Sequence, residues 1–243
     1  MQITEYTIKT GIAAPLCVAV AADLHDKPYA SVLNELFRTK PDIIAIPGDL
    51  MSAPDNAVRA LDFLTEAAKL APVFYSPGNH EHIRKYDNDR HGASLITRTG
   101  AVLLDNSSVV YNNIYIGGLS SGFMGRRRYG VEKTPPPDLR WLERFSAFQG
   151  FKLLLCHHPE YYPVYIKPLD IDIILSGHAH GGQWRLFGRG VFAPGQGLFP
   201  ALTSGVYDNR LVVSRGLANT AGVPRIFNPT ELVIVKLIPQ SRE

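Results

Sequence analysis

The run Leu16-Cys17-Val18-Ala19-Val20-Ala21-Ala22-Asp23-Leu24-His25 decides the fold. Its apolar part reads as a buried strand, and the change to Asp23 and His25 places polar donors where that strand leaves the core. The same unit then recurs. Ser31 to Thr39, with Val32, Leu33 and Leu36, has helical spacing, and Ile43 to Ile46 is a second strand ending at Gly48-Asp49. Asn56 to Leu70 places Val58, Leu61, Leu64 and Ala68 on one helical face, and Val73 to Tyr75 is a third strand, closing at Gly78-Asn79-His80-Glu81. Strand, loop and helix three times over is the pattern of parallel βαβ crossovers, and it predicts an α/β architecture.

The second half is richer in strands. Val102 to Leu104, Val109 to Tyr111 and Ile114 to Ile116 are strand-like, with Asn112-Asn113 suited to a tight hairpin turn because Asn tolerates positive φ. Asp138 reads as the N-cap of an amphipathic helix carrying Leu139, Leu142 and Phe145. Lys152 to Cys156 ends at His157-His158-Pro159, and Ile171 to Leu175 ends at Gly177-His178-Ala179-His180-Gly181-Gly182-Gln183. Leu211 to Val213 and Leu232 to Leu237 complete the strands, and no linker divides residues 1–243, so a single domain is expected.

Composition agrees with a packed globule. Of 243 residues 45% are apolar and 19% charged, which excludes disorder and fibrous repeats, while 21 Gly and 18 Pro predict many loops. A net charge of +3 falls short of a nucleic-acid binder's clustered excess, so no nucleic-acid partner is expected. Cys17 and Cys156 lie in apolar runs, where reduced core thiols are expected, and this points to a cytoplasmic protein. Met1 to Thr10 does not read as a secretory signal, and Ile12 to Ala22 has about half the length of a membrane span.

The polar residues that follow the strands form a pattern of their own. Ligands of open α/β sheets gather at the carboxyl ends of strands, so loops that are distant in sequence, from Asp23 to His180, should converge. Asp23, His25, Asp49, Asn79, His157, His178 and His180 offer oxygen and imidazole donors without a thiolate. That mixture suits Mn, Fe, Zn, Co or Ni, and so many imidazoles argue against a dedicated Mg or Ca cage.

Asp23-x-His25, Gly48-Asp49, Gly78-Asn79-His80-Glu81, His157-x-Pro159 and Gly177-His178-x-His180 resemble, in order and in context, the motif set of the calcineurin-like metallophosphoesterases. The longer Gly177 to Gln183 motif, with Ser214-Arg215-Gly216-Leu217 and Phe227-Asn228-Pro229, is similar to a bacterial GHxHGGQ subgroup. That subgroup includes phosphodiesterases and hydrolases related to UDP-2,3-diacylglucosamine pyrophosphatase. The resemblance implies a four-layer αββα sandwich of two mixed β-sheets flanked by helices. It implies one divalent ion on Asp23, His25, Asp49 and His180 and a second on Asp49, Asn79, His157 and His178, bridged by Asp49, with Mn2+ first among the candidates. Two such ions about 3.5 to 4 Å apart share a hydroxide that attacks phosphorus in line. His80 resembles the family's outer-sphere histidine, which protonates the leaving group or steadies a phosphoryl oxygen.

Other residues read as structural. His82, His91 and His158 are expected bystanders, Glu81 a helix-start carboxylate, and Cys156 a core thiol turned away from His157 by strand alternation. Arg126-Arg127-Arg128 reads as a solvated loop or a phosphate contact, and no role is assigned to Asn219. Trp184 to Leu202 reads first as core and loop packing, and second as the border of a substrate groove or a membrane-docking surface. Ser52 stands where purple acid phosphatases carry a metal-binding tyrosine, and the Asp-Arg-Gly continuation of the Ser/Thr protein phosphatases is absent. The resulting expectation is a metal-dependent hydrolase of phosphodiester or pyrophosphate bonds, acting on a phosphorylated small molecule or a lipid-linked substrate, with possible contact to a membrane surface. The alternative is a partner-binding scaffold without catalysis.

Overall fold

The computed structural model describes residues 1–52, 57–83, 90–121, 134–220 and 222–240, with backbone alone at 82–83 and 90–92. The first sheet is built from β1 (Gln2–Thr10), β2 (Leu16–Val20), β3 (Ile43–Pro47), β4 (Val73–Ser76) and β5 (Val102–Leu103). The second takes β6 (Ser107–Tyr111), β7 (Ile114–Leu119), β8 (Phe151–Cys156) and β9 (Ile173–Ser176). Two small hairpins follow, β10 (Arg185–Leu186) with β11 (Arg189–Gly190) and β12 (Phe192–Ala193) with β13 (Gly197–Leu198). Then β14 (Gly205–Tyr207) and β15 (Leu211–Val213) complete the second sheet, and β16 (Glu231–Pro239) returns to the first.

Both sheets have six strands, in the orders β1-β16-β2-β3-β4-β5 and β14-β15-β9-β8-β7-β6. In the first, β2 to β5 run parallel, and β16 is antiparallel to β2 while parallel to β1. In the second, β7, β8, β9 and β15 run parallel between the antiparallel edges β6 and β14.

Three apolar layers account for this arrangement. Val18 and Val20 of β2 and Ala45 of β3 face Leu153, Leu155, Ile173 and Val212 across the gap between the sheets. The alternate residues Ala19, Ile44 and Ile46 pack under helices α1 (Ala30–Thr39) and α2 (Val58–Ala68) through Leu36, Phe63 and Leu64. A short α3 (Asn79–Ile83) and α4 (Arg90–Arg98) follow β4. On the far side, Leu154, Cys156 and Ile174 pack under α5 (Leu139–Ser146) through Trp141, Leu142 and Phe145. Helices outside two facing sheets make the four-layer α/β sandwich. Strands buried on both faces carry continuous apolar runs, which is why β2, β3, β8 and β9 were legible.

Local signals explain the boundaries. Asp138 accepts the Trp141 backbone N–H at 3.0 Å and caps α5. Asn112 and Asn113 take φ of 48° and 62° in the turn between β6 and β7. Cys156 faces α5, and burial pushes its thiol well above the ordinary range. Among the described residues, no helix is long and apolar enough to cross a membrane.

Candidate metal centre

Five strands deliver the candidate ligands to one edge of the sandwich. Asp23 and His25 follow β2, Asp49 follows β3, Asn79 opens α3 after β4, His157 follows β8, and His178 and His180 follow β9. The loops are laced together by backbone: Asp23 N–H donates to the Gly48 carbonyl at 3.2 Å and His25 N–H to that of Asp49 at 3.1 Å. Asp23, His25, Asp49, His178 and His180 all have φ between 45° and 64°. Such left-handed backbone costs a non-glycine residue on the order of 1 kcal/mol and persists where the surroundings over-determine it, as these laced turns do. Gly48, at φ 93°, lets the strand end pass close beneath His157, because a Cβ there would lie 2.6 Å from Nδ1 of that ring.

The side chains then converge. Asp23, His25 and His180 bring donor atoms within 4.8 Å of one another, as do His25, Asp49 and His80, and likewise Asp49, His157 and His178. Asp49 Oδ2 sits 3.2 Å from His157 Nε2, 3.7 Å from His25 Nε2 and 3.9 Å from His80 Nε2. Asn79 Oδ1 is 3.1 Å from His157 Nε2. His180 Nε2 lies 3.7 Å from Asp23 Oδ1, and both Asp23 oxygens accept the His178 backbone N–H at 3.2 Å. All seven expected ligand residues, and His80 beside them, therefore lie at one place.

Charge in the cluster is unusual for groups this deep. Burial would raise Asp49, but His157 beside it, with His80 and His25, holds the carboxyl well below its usual range. Burial would lower His157, but the Asp49 carboxylate raises it to about 10. Burial lowers His25 to about 3 and His180 to about 4, and holds His178 far down as well. Both ring nitrogens of His25 are buried without a hydrogen-bond partner. A buried imidazole that meets only carboxylates and other imidazoles is stranded unless a cation uses its lone pair, so the donor set fits a divalent metal.

Four groups behind the ligands have more to do than the sequence disclosed. Glu81 Oε2 accepts N–H from Gly78 at 2.7 Å and from Asp49 at 3.1 Å, and Oε1 accepts from Met51 at 3.0 Å. It ties the loops after β3 and β4 together, and burial followed by the nearby Asp49 charge raises its carboxyl. His158, expected as a bystander, is buried, with its ring centroid 4.3 Å from that of His178. β8 ends at Cys156, two residues earlier, so strand alternation does not set the direction of the His158 ring. His158 Nδ1 is 3.1 Å from Glu160 Oε1 and its Nε2 is 2.5 Å from Ser121 Oγ. Glu160 Oε1 also lies 3.7 Å from His178 Nε2 and accepts from Thr134 at 2.6 Å. Its adjacency to His157-x-Pro159 was the one available signal.

Arg225 had no signal at all. Its guanidinium donates to the Arg215 and Ala218 carbonyls and lies 3.1 Å from His180 Nδ1. Burial lowers Arg225 to about 10 against the pull of Asp23, so it stays charged at neutral pH. Gln183 Nε2 donates to Asn219 Oδ1 at 3.1 Å, which places Asn219 at the rim. The side chains of His82 and His91 and the whole of Arg126-Arg127-Arg128 fall outside the described residues. Trp184 to Leu202 reaches the core only in part: Ala193 is buried and Leu202 packs beside it, while Trp184, Leu186, Phe187, Phe192, Leu198 and Phe199 on or beside the two short hairpins are exposed.

Carboxylates, an amide and imidazoles gathered at strand ends of a two-sheet α/β sandwich define a candidate metal centre. The sequence model of the calcineurin-like phosphoesterases matches residues 17–182, and the chain belongs to that family. It is 28% identical to an uncharacterized metallophosphoesterase of Aquifex aeolicus over 98% of this chain and 92% of that one. It is 27% identical to the uncharacterized metallophosphoesterase Cj0846 of Campylobacter jejuni over 90% of this chain and 57% of that one. It is also 28% identical to phosphodiesterase YaeI of Escherichia coli over 72% of this chain and 64% of that one. The chain thus spans little more than half of some of its relatives.

Proposed function

We propose that the protein hydrolyses phosphodiester or pyrophosphate bonds with two divalent transition-metal ions, Mn2+ being the first candidate. Asp23, His25, Asp49 and His180 would hold one ion, and Asp49, Asn79, His157 and His178 would hold the other. The observation that carries this is the position of Asp49 Oδ2, within 3.7 Å of His25 on one side and of His157 on the other. One anionic oxygen between two buried sets of imidazoles is what a shared ligand requires. Bound divalent ions lower the pKa of water toward neutrality and neutralise charge on phosphoryl oxygens.

The chain's own groups set up the rest. Burial keeps His25, His178 and His180 neutral at working pH, so their lone pairs are free for metal. His157 binds a proton to Asp49 in the metal-free cluster and must release it on loading, so metal uptake expels a proton. His80, with its side chain 25% exposed, is more open to solvent than its neighbours His25 and His157. Its Nε2 is placed to give a proton to the departing oxygen of the substrate. The name of the E. coli relative favours a diester.

Hydrolysis of bis-p-nitrophenyl phosphate by purified protein after Mn2+ loading, with metal counted per chain, tests this reading. The expected result is about two ions per chain and turnover that chelation abolishes, both lost in Asp49→Ala. Metal-independent turnover, or full turnover by Asp49→Ala, would overturn it.

A further inference from the structure

The two large sheets end on β1, β5, β6 and β14, which have nine, two, five and three residues. A short edge strand is a poor template for further pairing, whereas a long one is commonly guarded by Pro, by a bulge or by a covering segment. Among the described residues β1 has none of these guards. It contains no Pro and runs beside β16 in unbroken register, from Gln2 with Glu231 to Thr10 with Pro239. No described strand pairs with its other side, and Glu5, Thr7 and Lys9 are exposed.

Backbone bonds show what that open side offers. The Gln2 N–H donates to the Thr230 carbonyl at 2.8 Å, and the Thr10 carbonyl accepts from Gln240 at 2.9 Å. Thr230 and Gln240 flank β16, so the even-numbered residues of β1 turn their backbone groups toward β16. Ile3, Glu5, Thr7 and Lys9 therefore turn their N–H and C=O outward. Their side chains also share one face, because Tyr6 and Ile8 pack toward the gap between the sheets. Glu5 Oε2 accepts from Lys236 Nζ at 2.6 Å, which leaves Oε1 open. Lys9 has no side-chain partner among the described residues.

Read in reverse, this edge complements itself. We infer that β1 pairs antiparallel with β1 of a second copy, about a twofold axis through Thr7, and joins the two six-stranded sheets into one. In that register Thr7 meets Thr7, and Glu5 meets the second copy's Lys9 on the solvent face. Tyr6 meets the second copy's Ile8 on the inter-sheet face, an aromatic and β-branched pair that antiparallel strands favour. The outward backbone groups fall opposite one another and make about six bonds. An axis through Glu5 or Lys9 sets like charges face to face, and one through Tyr6 or Ile8 leaves both charges opposite uncharged residues. Only the Thr7 axis matches every pair. A foreign strand would have to carry the same pattern by coincidence, whereas a second copy supplies it twice by symmetry. Tyr6 is only half-buried against the inter-sheet core, so pairing also finishes covering its ring. β16 stands between β1 and the ligand-bearing β2, so both metal centres stay open in the pair.

Sedimentation velocity of the full chain, followed up to about 100 μM, tests the pairing. Wild type is expected as a dimer that dissociates on dilution. Thr7→Pro removes the central outward N–H of each copy without touching a bond to β16, and should weaken the dimer on the order of a hundredfold. Glu5→Lys and Lys9→Glu each set like charges opposite and should each weaken it roughly tenfold. An equal mixture of those two variants should recover the wild-type affinity, because every altered charge then meets its opposite on the other chain. Metal content per chain should be the same in all of them. Wild type that stays monomeric at the highest concentration, a Thr7→Pro dimer as tight as wild type, or a mixture no tighter than its components would overturn the inference. Should Thr7→Pro fail to fold, the charge variants and their mixture decide alone.

Discussion

Glu81 accepts the backbone N–H of Asp49 across 3.1 Å, so a side chain on the helix after β4 fixes the loop after β3. The same carboxylate takes two further N–H groups, from Gly78 and Met51. Glu81→Gln turns an amide N–H₂ toward donors that need an acceptor and leaves at least one buried N–H unpaired, at about 1–3 kcal/mol. The expected outcome is a lower urea midpoint and weaker metal retention together. Unchanged values of both would show that the tie carries no strain from the loops.

His80→Ala separates binding from turnover. His80 lies outside the two proposed ligand sets, so metal content should stay near the wild-type value while kcat falls by roughly 10²- to 10⁴-fold. Full activity of the variant on a diester with an unactivated alcohol as leaving group would remove His80 as the proton donor, because such an alkoxide has to be protonated as it departs.

Glu160 presents Oε1 to His158 Nδ1 at 3.1 Å and to His178 Nε2 at 3.7 Å. Burial would raise this carboxyl, but His158 and His178 pull it down to about 2. Carboxylates behind metal-binding histidines fix ring orientation, and their loss costs about 10- to 100-fold in metal affinity. Glu160→Gln is nearly isosteric, so competition with a chelating dye should show that loss while the fold is kept. Unaltered affinity would leave Glu160 as packing alone.

The metal-free protein should weaken in acid. Burial depresses His25 to about 3 and His180 to about 4, against about 6.5 for a free imidazole. A depressed pKa means that the unfolded chain binds protons the folded chain refuses. The contribution is therefore complete above about pH 6.5 and is lost as pH falls toward about 3. His157 has the opposite sign: raised to about 10, it contributes fully below about pH 6.5 and fades as pH rises through about 10. The urea midpoint of chelator-treated protein should therefore drop between pH 6.5 and 4. A flat or rising midpoint over that window would contradict the burial of these rings.

The parallel strands and their ligand-bearing ends were legible because β2, β3, β4, β8 and β9 are buried on both faces and stop at a sharp change to Asp, Asn or His. Glu81 and Glu160 were hidden for a different reason. A carboxylate beside a ligand motif looks the same in sequence whether it meets water or three buried amides. Arg225 arrives from a loop with no periodicity and acquires meaning only through proximity to His180. The position of β16 was equally invisible, since an apolar strand does not record which neighbours it joins. The exposed hairpins went the other way: aromatic density suggested packing, while strand pairs of two residues each are too short to cover those rings.

Insertion of β16 between β1 and β2 has a consequence for synthesis. Gln2 is paired with Glu231 and Thr10 with Pro239, so β1 meets its neighbour among the described strands only after more than two hundred further residues have been translated. Until then β2 also presents a bare edge to solvent and to other nascent chains, the situation that favours off-pathway pairing. Maturation therefore waits on one late closing step. Pairing of Glu231 to Pro239 is the single event that covers the facing edges of both β1 and β2.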